Sequence, residues 1–244
     1  MDSTLPRSVF PSRMQVLSGS VLKLIAMVTM FMDHFAAYLG AKLPFFRSEL
    51  LTLGSRSYTG YRVFRDIGRI AFPIFVFLLL EGFHHTHSRL LYVRNLLIFA
   101  LITEPVWNYG HTGTLFYQKQ NVYFTLLLGF LGCWALEYFW DKRMIQLLCL
   151  LALFAASYLL KADYGWRGFI FILLMYMLRN DPVHQLIGGS CWLYYEWKAC
   201  FAFIPINLYN GKRGFIKGKY FKYFFYLFYP LHILILALFK YKIL

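Results

Sequence analysis

Ser20 to Gly40 reads SVLKLIAMVTMFMDHFAAYLG. As an α-helix rising 1.5 Å per residue it is about 31 Å long, enough to cross a hydrocarbon core of about 30 Å. Inside that apolar run stand Lys23, Asp33 and His34. Ionisable groups within a membrane segment are costly and by default mark a functional site. Lys23 and His34 are eleven residues apart, close to three whole turns, so they share one helix face, roughly 16 Å apart along the axis. Asp33 points about 100° away from His34 around the same helix.

Working outward, the 244-residue chain is 59% hydrophobic, 21% aromatic and only 15% charged, where a soluble domain is about 25% charged. Apolar runs recur along the whole chain. The expected fold is therefore an all-α integral membrane protein, a polytopic bundle of about eight transmembrane helices. It is read as a polar N-terminal tail (residues 1–19) and one membrane domain (20–244). The first run carries internal charges and lacks a small-residue cleavage site behind it, so it reads as a retained helix and not a signal peptide. Cys133, Cys149, Cys191 and Cys200 show no C-x-x-C spacing, so neither a metal site nor a disulfide framework is expected.

Spans are expected near 20–40, 68–83, 90–107, 122–139, 144–160, 165–178, 185–208 and 221–239. The 165–178 run is short enough to be re-entrant, and 42–67, basic and aromatic, has room for an interfacial helix. This segmentation puts 8 Lys and Arg on the side of the N-terminal tail, counting Lys240 and Lys242, and 12 on the other, counting Lys212 to Lys222. That weakly favours an external N-terminus. The net charge of +14 suits loops facing an anionic leaflet, or basic loops around an anionic ligand. Nucleic acid is not an expected partner, since no folded soluble recognition module is present.

Candidate chemistry starts from His34, a neutral imidazole able to act as general base near neutral pH. A carboxylate from another helix, Glu81, Glu104 or Asp163, is a candidate to orient it, with Asp33 beside it. Glu81 closes a run that Arg69 opens, with Pro73 between them to bend or start the helix. Glu104-Pro105 marks an expected break in the third span. Asp163 opens the polar, aromatic entry DYGWRG. Asn210-Gly211-Lys212-Arg213-Gly214 and the cations after it, Lys217, Lys219 and Lys222, interleave glycines with positive charge, a composition suited to phosphate. His232 follows Tyr229-Pro230-Leu231 inside the last span.

Six stretches, in order, resemble the TraX family: LSGSVLKLIAMVTMFMDH (17–34), IGRIAFPIFVFLLLEGF (67–83), QNVYFTLLLG (120–129), ADYGWRG (162–168), LYNGKRG (208–214) and FYLFYPLHILIL (225–236). That family is similar in turn to the wider transmembrane acyltransferases, whose first helix carries Arg, ten residues, then His. Here Lys23 stands in the place of the Arg, keeping the charge without the bidentate fork. The resemblance implies acetyl transfer from acetyl-CoA in a multi-pass protein of the bacterial inner membrane. His34 would be catalytic; from the residues themselves, Asp33, Glu81 and Asp163 are expected to act with it, and Lys23, Arg69, Asn210, Lys212, Arg213 and His232 to hold the donor. The acceptor would be a peptide, such as a pilin N-terminus, or a small molecule with an amine or hydroxyl. Two rival readings of the same residues are a proton-coupled transporter using Asp33, His34 and Glu81 as a relay, and a non-catalytic assembly subunit.

Overall fold

The computed structural model describes residues 8–53, 56–216 and 218–242. Most of the first half of the N-terminal tail, with Arg7, lies outside these residues, as does Lys217. Helix α1 (Gly19–Phe35) starts at Ser18, whose hydroxyl accepts from the Val21 N–H, and a wider turn over Ala36–Gly40 carries it onward. A short α2 (Pro44–Arg47) and an antiparallel hairpin of β1 (Glu49–Leu53) and β2 (Arg56–Thr59) follow. Then come α3 (Gly60–Gly68), α4 (Ala71–His85), α5 (Arg89–Thr112), α6 (Val122–Tyr138), α7 (Arg143–Leu159), α8 (Gly165–Met177) and α9 (Pro182–Trp192). A 3-10 stretch (Tyr194–Ala202), α10 (Phe203–Asn207) and α11 (Lys219–Lys242) complete the chain.

Among the described residues three helical stretches are long and apolar enough to cross a membrane: Gly19–Gly40, Arg89–Thr112 and Tyr223–Lys242. The shorter apolar helices α6, α7 and α8 pack into the same bundle. Its interior is aromatic and aliphatic, with Phe83, Phe130, Phe169, Phe171, Leu22 and Ile74 fully buried. Leu97, Leu101 and Ile102 on α5 and Met144, Leu148 and Leu151 on α7 are exposed. A soluble protein rarely leaves so continuous an apolar surface uncovered, whereas hydrocarbon solvates it at no cost.

Two expected spans are not single helices. The 68–83 run is divided between α3 and α4 at Arg69 and Ile70, because Pro73 has no N–H to give the Arg69 carbonyl. The 185–208 run breaks after Trp192, turns through an extended Glu196 (φ −124°, ψ 50°) and returns as α10. This alters which loops share an end of the bundle. The Asn207 carbonyl accepts from Ser8 at 2.5 Å, and Tyr209 bridges Leu17, so the chain after α10 comes back to the start of α1. Lys212 and Arg213 therefore lie at the N-terminal end, while Lys240, bonded to Gly110 and approached by Lys42, lies at the opposite one. With those cations and the start of α11 reassigned, the charge excess that favoured an external N-terminus disappears.

Helix α5 runs unbroken through Pro105 where a break was expected. Asn121 braces it there, donating from Nδ2 to the Ala100 carbonyl at 2.9 Å and to Glu104 at 2.6 Å. In the 42–67 region the structure has a hairpin and α3, which is amphipathic but packs inward against α1. Gly68 makes that approach possible: a Cβ there would overlap the Asp33 side chain.

Candidate active site

A cavity of about 380 Å³ lies between α1, the α3–α4 break, α5, α6, the start of α8 and α11. His34 lines it. Its Nδ1 is 2.6 Å from Nε2 of His232, the rings nearly parallel with an interplanar angle of 11°. On its other side His232 Nδ1 meets the Phe228 carbonyl at 2.7 Å.

These two contacts assign the protons. A carbonyl only accepts, so His232 Nδ1 carries the hydrogen and, in the neutral ring, His232 Nε2 carries a lone pair. The proton between the imidazoles must then come from His34 Nδ1. Neutral His34 is thereby held with its lone pair on Nε2, which hydrogen-bonds no other described group. That is the tautomer a general base requires, fixed by a second imidazole where a carboxylate was expected.

The local sequence explains how α11 delivers His232. Pro230 cannot donate to the Tyr226 carbonyl four residues earlier, and the Tyr123 hydroxyl of α6 donates to that oxygen instead, at 2.9 Å. The proline thus ties α11 to α6 one turn before His232. Tyr123 and Tyr229 both line the cavity beside His34.

The charged groups of the cavity are mostly paired. Asp33 Oδ2 accepts from Arg65 at 2.5 Å, and Arg69 pairs with Glu196 at 3.0 Å. The Arg69–Glu196 pair, with the Lys198–Asp66 pair, anchors the 194–198 turn to the end of α3. Arg167 lies over the rings of Trp166 and Tyr195, at 5.4 and 4.7 Å from their centroids. Asp163 lines the cavity and is solvent-accessible there. Desolvation by the protein around it, and next the nearby Asp33 carboxylate, push its pKa up to about 6. Two left-handed residues bracket it, Lys161 and Gly165, each with φ of 50°. For a lysine this is a strained conformation.

Of the residues singled out in the sequence, the fold brings His34, Asp33, Arg69 and Asp163 around one cavity, with His232 buried behind His34. The others lie elsewhere. Glu81 accepts from the Tyr209 hydroxyl at 2.9 Å, near the N-terminal end of the bundle and outside the cavity lining, so it does not orient His34. Asn210 accepts from the Lys212 N–H at 2.9 Å and closes its own loop. That loop turns carbonyls toward α1, those of Lys212 and Arg213 accepting from the Gly19 and Ser20 N–H groups, so its backbone forms no amide cradle for phosphate. The side chains of Lys212 and Arg213 are exposed. Lys23 stands between the loop and the cavity, its Nζ 5.4 Å from the ring of Phe225, which lines the cavity.

Sequence reasoning passed over Arg65, Trp107, His111, Tyr195 and Phe225, all of which line the cavity. The amphipathic pattern of α3 is a signal for Arg65. His111 lies past the expected end of the third span, and only the continuation of α5 brings it in.

The TraX protein family model matches residues 18–240, so the match takes in every cavity-lining group. This chain belongs to the TraX family. A relative of this TraX chain is the probable fimbrial assembly protein FimC, serogroup H1, of Dichelobacter nodosus, 30% identical over 167 residues. The match covers 65% of the TraX chain and 61% of that protein's length. No solved structure matches it.

Proposed function

We propose that this TraX protein is a membrane-embedded acetyltransferase that moves an acetyl group from acetyl-CoA to an amine or hydroxyl acceptor, with His34 as general base. The observation that carries this reading is the His34–His232–Phe228 chain, which leaves a lone pair on His34 Nε2 in a ring that lines the cavity.

In the reaction, the acceptor nitrogen or oxygen attacks the thioester carbonyl carbon while His34 Nε2 takes its proton. The C–S bond then breaks, and the proton passes from Nε2 to the departing thiolate. During the charged interval the imidazolium keeps its Nδ1–H on His232 Nε2, which spreads the charge without moving a second proton. General-base assistance of this kind contributes about 10² to 10⁴ in rate.

A cavity of about 380 Å³ is at the small end for ligand sites, about 300 to 1,000 Å³. It suits the acyl end of the donor and not its nucleotide. The phosphates are assigned to Lys212, Arg213 and Lys23, the last of which lies against Phe225 of the cavity lining. The relative's name, a fimbrial assembly protein, supports a pilin-like polypeptide as acceptor, in the inner membrane of a bacterium.

The test is acetyl-CoA cleavage and transfer by purified protein in detergent, comparing wild type with His34→Ala and the Lys212→Ala, Arg213→Ala pair. Loss of cleavage in the first, and a raised KM for acetyl-CoA in the second, are expected. Cleavage at the wild-type rate by folded His34→Ala would falsify the assignment. A folded wild type that neither binds nor cleaves acetyl-CoA returns the buried charges to the transporter reading.

A further inference from the structure

Three carboxylates line the cavity, Asp33, Asp163 and Glu196. Asp33 is held by Arg65 and Glu196 by Arg69. Asp163 has no ion pair and no hydrogen bond among the described residues, although it shares the cavity with Arg65, Arg69 and Arg167. The guanidinium groups that would neutralise it are committed, two to other carboxylates and one to aromatic rings.

The backbone holds it in that position. Gln120 donates to the Lys161 carbonyl at 3.3 Å, Ala162 bridges Gln120, and Tyr164 stacks on Phe72 with centroids 3.6 Å apart. The backbone on both flanks is therefore fixed, which keeps the Asp163 carboxylate at the cavity wall. A carboxylate left without a partner at the cavity wall is free to form a charge-assisted hydrogen bond with a cationic ligand group. His34 lines the same small cavity, so a group bound at Asp163 lies within one small molecule's reach of the base.

We propose that Asp163 is the acceptor-binding residue of this protein, its carboxylate holding the ammonium of a primary amine in the cavity that contains His34. This rests on the acetyltransferase reading and gives it an acceptor subsite. Of the two protons that leave the ammonium, one goes to Asp163 and on to solvent. The other goes to His34 Nε2 and then to the CoA thiolate as the amide forms. A hydroxyl acceptor has no charge for Asp163 to meet, so the subsite favours amines over alcohols of equal size.

The experiment uses n-butylamine and n-butanol as probes on the full-length protein in detergent at pH 7.5, with wild type, Asp163→Asn and Asp163→Glu. Thermal unfolding reads binding, and acetylation of n-butylamine from acetyl-CoA reads use. The amine should raise the wild-type melting temperature where the alcohol does not. Asp163→Asn should lose that response and Asp163→Glu keep it. In Asp163→Asn the KM for n-butylamine should rise about 10- to 100-fold, the worth of a hydrogen bond to a charged partner. The KM for acetyl-CoA should stay within about threefold of wild type. An Asp163→Asn protein that answers the amine as wild type does, or a wild type stabilised equally by the alcohol, overturns the proposal. An Asp163-dependent amine response in a protein that acetylates nothing keeps the subsite and overturns the acetyltransferase reading. Acetylation with an unchanged amine KM in Asp163→Asn does the reverse.

Discussion

His232 decides what His34 can do, because the only hydrogen-bond partner of His34 Nδ1 among the described residues is another imidazole. A carboxylate in that place would pull the proton and stabilise the imidazolium more strongly. A neutral imidazole fixes the tautomer while leaving Nε2 a weaker base, which in the proposed reaction suits it to giving its proton up again to the thiolate. His232→Ala should therefore lower kcat by about 10²-fold, within the range for a base left without its orienting partner, and leave the KM for acetyl-CoA nearly unchanged. A raised KM for acetyl-CoA with kcat unchanged would place His232 in donor binding, the role expected of it from the sequence. A second prediction concerns Asp163, faced by Asp33, Arg69, Lys119 and Arg65. Its pKa of about 6 in the fold stands above its ordinary 3.8, so the folded state binds a proton that the unfolded chain releases. Stability contributed by the protonated group is present below pH 4 and is lost as pH rises toward 6. Asp163→Asn should melt higher than wild type at pH 7.5, with the difference shrinking toward pH 4. A gap that does not change with pH would show that the carboxylate titrates in the fold as it does in the unfolded chain.

At the scale of elements, proline positions were legible in the sequence but their consequences were not. Pro73, Pro105 and Pro230 each remove one helix hydrogen bond, yet α4 begins near the first, α5 continues through the second and α11 through the third. The difference lies in what neighbouring helices offer. Asn121 supports α5, and Tyr123 replaces the donor that Pro230 lacks. No local pattern encodes a partner 103 residues away. The apolar runs, their order and the His34 face were readable because they depend on composition and period alone. The tie to Tyr123 can be measured. Tyr123→Phe leaves the Tyr226 carbonyl without its donor, which costs about 1 to 3 kcal/mol for a buried group. Pro230→Ala returns the backbone N–H to that carbonyl, so Tyr123→Phe should cost clearly less in the Pro230→Ala background. Additive losses in that double-mutant cycle, followed by thermal melting in detergent, would rule out a shared hydrogen bond.

For the whole molecule, the two sets of candidate residues lie toward different ends of the bundle. Lys212 and Arg213 flank the start of α1, and Lys23 sits over Phe225. Asp163 and His111 reach the cavity from the ends of helices near Gln120 and Lys240. Reading 185–208 as one span put Lys212 opposite the N-terminal tail. The turn at Glu196 puts it on the same end. No hydropathy window separates the two arrangements, since a helix that crosses and a pair that enters and returns have the same composition. Labelling separates them directly. With Cys133, Cys149, Cys191 and Cys200 replaced by serine or alanine, single cysteines at Ser12, Lys212 and Leu115 are exposed to a membrane-impermeant maleimide in intact cells and in inverted vesicles. Ser12→Cys and Lys212→Cys should label from one face and Leu115→Cys from the other. If Lys212→Cys labels with Leu115→Cys instead, the Lys212 loop and the N-terminal tail lie across the membrane from each other, and the proposed donor route from Lys212 past Phe225 to His34 fails with that arrangement.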